Sequence, residues 1–228
     1  MSRAQPLSTE YIAGRLRALH EPAGLAAGNR PRHSDFDLNA ALAASGRRLR
    51  PAAVLVPLVA RATGLTVLLT QRTDHLHHHA GQVSFPGGRL EDADRGPVDT
   101  ALRETHEEVG IEPHWIEPVG MLDDYETVTG FLVTPVVSFL RPGFTLALDP
   151  YEVADAFEVP FAFVLDPANH QVHSRMRNGE RRHYYVFEYG ERYIWGATAG
   201  MLMNFYRRLH GLSGPMRPPG TDTPAHAG

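Results

Sequence analysis

The segment of residues 87–111 constrains this chain most, because it places a glycine pair before a helix whose two ends are both marked. Residues 97–109 read as an amphipathic helix, with Pro97 at the favoured first position and Gly110 where a left-handed cap is expected. One stripe of that helix, at spacings of three and four residues, consists of Val98, Leu102, Thr105 and Val109. This stripe predicts a face that packs against the rest of the fold.

The opposite side of the same helix carries three carboxylates. Glu104, Glu107 and Glu108 fall within an arc of about 100°. Like charges at such spacings destabilise an isolated helix by about 0.2–0.5 kcal/mol per pair, and a bound cation removes that penalty. Hard oxygen ligands suit Mg²⁺ or Mn²⁺, and magnesium is usually held by a few carboxylates together with waters and substrate phosphates. The helix therefore predicts a divalent-metal site for a diphosphate substrate. The alternative is a solvated acidic face, in which Asp99 and Glu107 each pair with Arg103.

A longer pattern around the helix resembles the signature of the Nudix hydrolases, G-x5-E-x7-R-E-U-x-E-E-x-G-U with U aliphatic. Counting from Gly88, the acidic position falls on Asp94, the gap to Arg103 is eight residues, and Thr105 fills a usually aliphatic position. The resemblance implies a supporting ion pair or cap at Asp94 and an orienting role for Arg103 in catalysis. It implies metal binding and catalysis by Glu104, Glu107 and Glu108.

Residues 68–88, LLTQRTDHLHHHAGQVSFPGG, are similar to the element before the signature in the coenzyme A pyrophosphatases of this superfamily. His77 stands where that subgroup usually has arginine or lysine. Shorter matches at residues 128–137 and 194–199 extend the likeness to about residues 51–211. The resemblance implies a small-molecule nucleotide substrate, coenzyme A, cleaved to 3′,5′-ADP and 4′-phosphopantetheine. The alternatives are another nucleoside diphosphate derivative such as ADP-ribose or a dinucleotide, and a non-catalytic nucleotide-binding regulator.

Several side chains before the helix are candidates for substrate contact. Arg72 and Gln82 suit phosphate oxygens and the polar edges of a base or pantetheine, or else belong to the surface. His79 matches the subgroup motif and is a candidate for substrate contact. Gly87 and Gly88 would let the backbone approach the substrate and the metal closely, although a tight turn also explains such a pair.

Two further groups of residues have competing interpretations. Glu152 could act as a distal general base, or it could be a carboxylate on an edge strand. The histidines at 75 and 77–79 could suggest zinc, but consecutive side chains of an extended segment point to opposite faces and cannot all bind one ion. The aromatic side chains of residues 184–193 predict a strand packed on one face rather than a base-stacking platform.

Composition limits the classes of function. A chain of 228 residues that is 43% hydrophobic and 21% charged can bury a sizeable core. A net charge of −4 argues against a broad nucleic-acid surface, and the lack of cysteine excludes thiolate chemistry and disulfides. Residues 1–20 lack the apolar core of a signal peptide, and the apolar run 52–60 is too short to cross a membrane. We expect a cytoplasmic protein without membrane contact, and the oligomeric state stays open, with a homodimer among the alternatives.

The order of apolar runs predicts an α/β sandwich with a mixed sheet and helices on both faces, the architecture that the Nudix resemblance also implies. Residues 1–50 are expected to form an N-terminal helical arm, with helices at 7–20 and 36–45 capped by Ser8 and Asp35. Residues 51–211 are expected to form the hydrolase domain and residues 212–228 a disordered tail. Within the domain we expect a hairpin of the runs 52–59 and 66–70, strands at 119–122 and 131–140 joined by an acidic loop, a strand or bend at 152–159, and a final helix at 196–209.

Overall fold

A computed structural model describes residues 8–16, 32–39, 41, 48–73, 81–177 and 179–212. Its helices are α1 (Thr9–Arg15), α2 (Pro97–Val109), α3 (Phe161–Leu165) and α4 (Ala197–His210), with short 3-10 helices at Pro113–Trp115 and Pro167–Asn169. Its strands are β1 (Arg32–Ser34), β2 (Arg50–Arg61), β3 (Gly64–Arg72), β4 (Val83–Ser84), β5 (Gly87–Arg89), β6 (Ile116–Met121), β7 (Asp124–Glu126), β8 (Phe131–Leu140), β9 (Val153–Pro160), β10 (Gln171–Arg177), β11 (Glu180–Tyr189) and β12 (Arg192–Trp195).

The large sheet is mixed and is built around β2. This long strand pairs in parallel with β8 on one side. On its other side, its first half pairs with β5 and its second half with β3, both antiparallel. β3 pairs in turn with β4 and β9, and β8 pairs with β6 and β7. This arrangement places the short glycine strand β5 inside the sheet, directly beside the start of β2.

Alternating side chains of β2 and β3 face two separate cores, because successive residues of a strand point to opposite faces. One core contains Ala53, Leu55 and Leu68 and is covered by α2. The other contains Val56, Leu58 and Leu69 and is covered by α3, α4 and a second sheet of three antiparallel strands, β10, β11 and β12. The predicted α/β sandwich with a mixed sheet and helices on both faces is therefore confirmed.

The hairpin of β2 and β3, the strand at residues 131–140 and the final helix are confirmed as predicted. The acidic loop is not wholly a loop, since β7 forms within it and pairs with both β1 and β8.

Within the described residues, no helix is both long enough and apolar enough to span a membrane.

The prediction for the N-terminal arm is half right. Ser8 caps α1, because its hydroxyl oxygen accepts a hydrogen bond from the Tyr11 N–H at 3.1 Å. The second helix is wrong over its described start, where residues 35–38 form a turn. Asp35 is not a helix cap: its carboxylate accepts hydrogen bonds from the Tyr125 hydroxyl at 3.0 Å and the Val128 N–H at 2.7 Å. These long-range partners hold the segment as β1 with a following turn. The predicted tail from residue 213 onward lies outside the described residues.

Candidate active site

The glycine strand β5 lies against α2 so closely that neither glycine has room for a side chain. A Cβ atom on Gly88 would lie 2.3 Å from Glu104 Oε1, and one on Gly87 would lie 2.4 Å from the Ala53 carbonyl oxygen. Gly87 also has a φ of +153°, which glycine adopts without strain. Its N–H donates a hydrogen bond to Glu108 Oε2 at 3.3 Å. The glycine pair therefore brings backbone and carboxylates together at one place.

Arg103 fixes the side chains on the exposed half of α2. Its guanidinium donates to both carboxylate oxygens of Asp94, at 3.1 and 3.0 Å, and to the Arg89 carbonyl oxygen at 3.1 Å. It also donates to Glu104 and Glu107, each at 3.0 Å. The hydrogen bonds from Arg103 lower the pKa of Asp94 to about 2. Asp94 thus forms the supporting ion pair that the Nudix resemblance implied for this position.

The alternative interpretation of the helix as an ordinary solvated face fails in one detail. Asp99 pairs with Arg95, which donates to it at 2.6 and 3.1 Å, and it does not pair with Arg103. Arg103 is left to connect Asp94 with the two glutamates. The orienting role of Arg103 stays a prediction, and these contacts are what it requires.

Glu108 departs from the expectation that all three glutamates face away from the packed stripe. Its side chain is only 5% exposed, and Oε1 lies 3.7 Å from Arg72 Nη1. Burial, together with the neighbouring Glu104 and Glu152, raises the pKa of Glu108 to about 8 against the opposing effects of Arg72 and of the hydrogen bond from the Gly87 N–H. The physical reason is the phase of the helix. Ala101, Thr105 and Glu108 form a second stripe at three- and four-residue spacing, and the fold buries this stripe together with the predicted one, whose Val98, Leu102 and Val109 also pack against the core.

The three glutamates have different surroundings. Glu104 is mostly buried, and burial raises its pKa, as do Glu107 and Glu152. Glu107 is 54% exposed and is bound by Arg103. Among the described residues, no three acidic or histidine side chains enclose a metal ion by themselves. The expected convergence of the three carboxylates is therefore incomplete, because Glu108 turns inward and Glu107 turns outward.

Arg72 connects the helix with residues from elsewhere in the chain. Besides its contact with Glu108, its Nη2 lies 4.0 Å from Oε2 of Glu152, which is half exposed just before β9. The Arg72 N–H donates to the Gln82 carbonyl oxygen at 3.0 Å. The structure thus brings Arg72 to a carboxylate of α2 and places Glu152 and the backbone of Gln82 beside Arg72. His79 and the other histidines of residues 75–79 lie outside the described residues.

The donor set fits a divalent cation. Glu108 is buried beside two other carboxylates, and a cation at this point would offset both their repulsion and the cost of burial. Glu104 supplies oxygen atoms at the edge of the glycine strand. Oxygen donors of this type suit Mg²⁺ or Mn²⁺, whose remaining positions are commonly filled by waters and substrate phosphates.

One group beside the site was missed from the sequence. Arg192 of β12 donates hydrogen bonds to the side chains of Gln71 and Asp155, and its guanidinium lies 4.3 Å from the Phe157 ring centroid. These contacts join the small sheet to β3 and β9 immediately next to Arg72. No local pattern marks them, since the two hydrogen-bond partners of Arg192 lie 37 and 121 positions away along the chain.

Comparison with known proteins places most of the chain in one group. A family model described as NUDIX domain matches residues 49–187. A protein of Escherichia coli K12, named Uncharacterized Nudix hydrolase NudL, is 42% identical over 154 residues, which cover 67% of this chain and 79% of the relative. The relative of the same name from Escherichia coli O7:K1 has the same identity and coverage.

Solved structures of lower similarity also match. The Caenorhabditis elegans Ap4A hydrolase in a binary complex has 20% identity and a TM-score of 0.43, with 49% of this chain and 80% of that chain covered. The MutT protein from Methanosarcina mazei has 17% identity and a TM-score of 0.47, with 75% and 100% covered.

Proposed function

We propose that this chain, which belongs to the Nudix hydrolase family and is a pyrophosphohydrolase, cleaves the diphosphate bond of coenzyme A or its derivatives. The products would be 3′,5′-ADP and 4′-phosphopantetheine or its acylated form. The observation that carries the hydrolase mechanism is the buried Glu108 carboxylate beside Arg72 and Glu104, at the glycine strand. The choice of coenzyme A is supported by the likeness of residues 68–88 to the coenzyme A pyrophosphatases.

Glu104, Glu107 and Glu108, with the backbone of Gly88, are the groups that would hold the divalent cation. Mg²⁺ or Mn²⁺ bound there would supply charge neutralisation for the diphosphate and a lowered pKa for the attacking water. Glu104 and Glu108 are already turned toward the glycine strand. Glu107 contributes from the exposed side, where Arg103 holds it.

The remaining chemistry belongs to the chain's own side chains. Arg72 has N–H donors beside the site and suits the charged oxygens of a diphosphate. Arg103 keeps Glu104 and Glu107 in place through its bonds to Asp94 and to the Arg89 carbonyl oxygen. Hydrolysis at phosphorus requires mainly positioning and charge neutralisation, so no serine or cysteine nucleophile is needed.

A general base must accept a proton from the attacking water. Glu107 and Glu152 are the two candidates, and the contacts favour Glu152. The Glu107 carboxylate is bound by Arg103 at 3.0 Å, whereas Glu152 is half exposed and meets Arg72 only at 4.0 Å. We therefore assign proton acceptance to Glu152 and cation binding to Glu107.

The test is product analysis with purified protein and Mg²⁺ or Mn²⁺. Coenzyme A, oxidised coenzyme A, an acyl coenzyme A, ADP-ribose and a dinucleotide are compared at equal concentrations, and 3′,5′-ADP release is followed by chromatography. We expect metal-dependent release of 3′,5′-ADP from the coenzyme A compounds, lost in Glu108→Gln. Cleavage of only ADP-ribose or the dinucleotide would keep the hydrolase mechanism and reject the coenzyme A assignment. Metal-dependent binding without any product would instead support the nucleotide-binding regulator.

A further inference from the structure

The three-stranded sheet has two faces of very different character. Its inner face carries Tyr185, Phe187 and Ile194, all of which are buried against the core beneath α4. Its outer face carries four rings on three neighbouring strands, namely His173, Tyr184, Tyr193 and Trp195. The predicted strand packed on one face is therefore confirmed, and Tyr184 and Tyr193 lie on the other face of the same sheet.

The outer rings form one continuous group with a cation over it. Tyr184 lies 5.4 Å from Trp195 and 6.4 Å from His173, between ring centroids, and His173 lies 5.8 Å from Tyr193. The guanidinium carbon of Arg175 lies 4.6 Å from the Trp195 centroid and 5.7 Å from that of Tyr184. A guanidinium stacked in this way can receive a second flat ring on its other side.

The cations on this face have donor atoms to spare. Arg175 is exposed and has no carboxylate partner among the described residues. Its cross-strand neighbour Arg182 lies 3.8 Å from Glu180, and its Nε is buried without a hydrogen-bond acceptor in the described part of the chain. A phosphate beside Arg175 would accept from its exposed guanidinium and lie next to the partly exposed guanidinium of Arg182.

This face adjoins the candidate active site through β12. A Cβ atom on Gly196, the residue after Trp195, would lie 3.4 Å from Nε2 of Gln82. The backbone carbonyl of Gln82 accepts a hydrogen bond from the backbone N–H of Arg72, and the side chain of Arg72 contacts Glu108. Arg192, at the other end of β12, is bonded to Gln71. The end of β12 is therefore linked to Arg72, the arginine assigned to the diphosphate, through one intervening residue, Gln82.

We infer that the outer face of the β10–β12 sheet binds the base-bearing half of the nucleotide substrate, with the base against Arg175 and Trp195 and a phosphate on Arg175 and Arg182. The inference rests on the proposed function, since it names how the 3′-phosphoadenosine end of such a substrate is recognised. Stacking on an aromatic ring or guanidinium suits any base, and the free arginine donors select a base that carries an additional phosphate. We call the outer rings and Arg175 together the platform. Tyr193, which is 39% exposed, lies at its edge.

The first test uses tryptophan fluorescence, because the chain has only two tryptophans, Trp115 and Trp195. Trp115→Phe leaves Trp195 as the single reporter, and binding is measured in EDTA so that no turnover occurs. We expect 3′,5′-ADP to change the Trp195 emission at concentrations where 4′-phosphopantetheine and inorganic phosphate do not. Absence of any change with 3′,5′-ADP, or a change seen only with an oligonucleotide, would overturn the inference.

The second test compares two arginines of the same small sheet. Arg175→Gln should weaken 3′,5′-ADP binding by about 5- to 100-fold, the range that stacking of one base contributes. Arg181→Gln removes an equal charge from an exposed position on the opposite face and should leave binding unchanged. Tyr193→Leu, a change at an exposed position, should weaken binding to a smaller extent.

Steady-state kinetics then separate this inference from the proposed function. In Arg175→Gln we expect the KM for coenzyme A to rise about as much as the Kd for 3′,5′-ADP, with kcat within about twofold of the parent protein, because Arg175 lies outside the carboxylate cluster. Unchanged KM with normal coenzyme A cleavage would reject the platform and leave the function standing. Failure to cleave coenzyme A, with Arg175-dependent 3′,5′-ADP binding intact, would reject the substrate assignment and keep the platform.

Discussion

Glu104, Glu107 and Glu108 are chemically identical but differ in what the fold does to them. Glu108 is buried with a pKa of about 8, Glu104 is mostly buried with a raised pKa, and Glu107 is exposed and paired with Arg103. A buried carboxylate without a full hydrogen-bond partner is costly to maintain. At residue scale, the burial of Glu108 is therefore a cost to the stability of the fold, at a position where we propose that its charge binds the cation.

We predict that Glu108→Gln lowers kcat by on the order of 100-fold or more while the protein stays folded, because the amide keeps the shape of the side chain and removes its charge. Circular dichroism checks the fold, and 3′,5′-ADP release checks turnover. Glu117→Gln, an exposed glutamate on β6, is the matched control and should retain activity. Full activity in Glu108→Gln would remove this residue from the catalytic assignment.

At the scale of elements, β5 packs against α2 so closely that substitutions at its two adjacent glycines should have different effects, one on stability and the other on activity. We predict that Gly87→Ala lowers stability by about 2 kcal/mol or more, since its Cβ meets the fixed backbone of β2 and its φ of +153° disfavours other residues. Gly88→Ala should cost less stability but lower kcat at least about tenfold, because its Cβ displaces only the movable carboxylate of Glu104.

Urea unfolding and steady-state kinetics on the same preparations distinguish these two effects. Gly96→Ala is the control, since its backbone at φ 162° is extended and a Cβ atom there meets nothing within 4 Å. If Gly88→Ala were as active as the parent protein, the close approach of β5 to Glu104 would have no role in catalysis.

The same element indicates which features were predictable from the sequence. The bounds of α2 follow from Pro97 and Gly110, because those residues act locally on the backbone. The burial of Glu108 could not be read with the same security, since the fold buries two overlapping stripes and only one of them was predicted. The partnership of Glu108 with Arg72 spans 36 positions and leaves no local pattern. Asp35 was misread as a cap for the same reason, because its partners lie on β7 and in the turn that follows.

At the scale of the whole molecule, the described residues of the N-terminal segment pack into the body of the protein. Asp35 connects β1 to Tyr125 and Val128, and Asn39 exchanges hydrogen bonds with the backbone of His183 on the small sheet. Ile12 of α1 is fully buried in the core. These contacts tie the described part of the predicted N-terminal arm to the predicted hydrolase domain.

We predict that Asp35→Ala lowers the free energy of unfolding by about 2–3 kcal/mol, because two hydrogen bonds to a charged group are lost and the Tyr125 hydroxyl is buried without its partner. The measurement is urea unfolding followed by tryptophan fluorescence. Glu126→Ala is unsuitable as a control because it lies on the same strand pair, so Asp92→Ala, at an exposed turn, is used. A change below about 0.5 kcal/mol would contradict the role given to Asp35.

The final prediction concerns the pH dependence of global stability. The pKa of Glu108 is raised from an ordinary value of 4.5 to about 8, so between these values the folded protein holds a proton that the unfolded chain has released. Stability in EDTA should therefore fall as pH rises through this window, with a contribution from Glu108 of up to roughly 1.4 kcal/mol per pH unit. Glu108→Gln should remove that part of the slope, and Glu104, whose pKa is also raised, contributes with the same sign.

Divalent ions should oppose this loss of stability at higher pH. An ion held by Glu104 and Glu108 stabilises their charged forms, so the stabilisation by Mg²⁺ or Mn²⁺ should grow from pH 6 to pH 8.5 and be much reduced in Glu108→Gln. Urea unfolding with EDTA, with Mg²⁺ and with Mn²⁺ at several pH values measures both effects on one protein. Stability that does not change with pH in EDTA would contradict the raised pKa of Glu108. Stability that neither ion changes would contradict the cation site. The two outcomes are linked, because the carboxylate whose charged form is disfavoured by burial is the one whose charged form a cation stabilises.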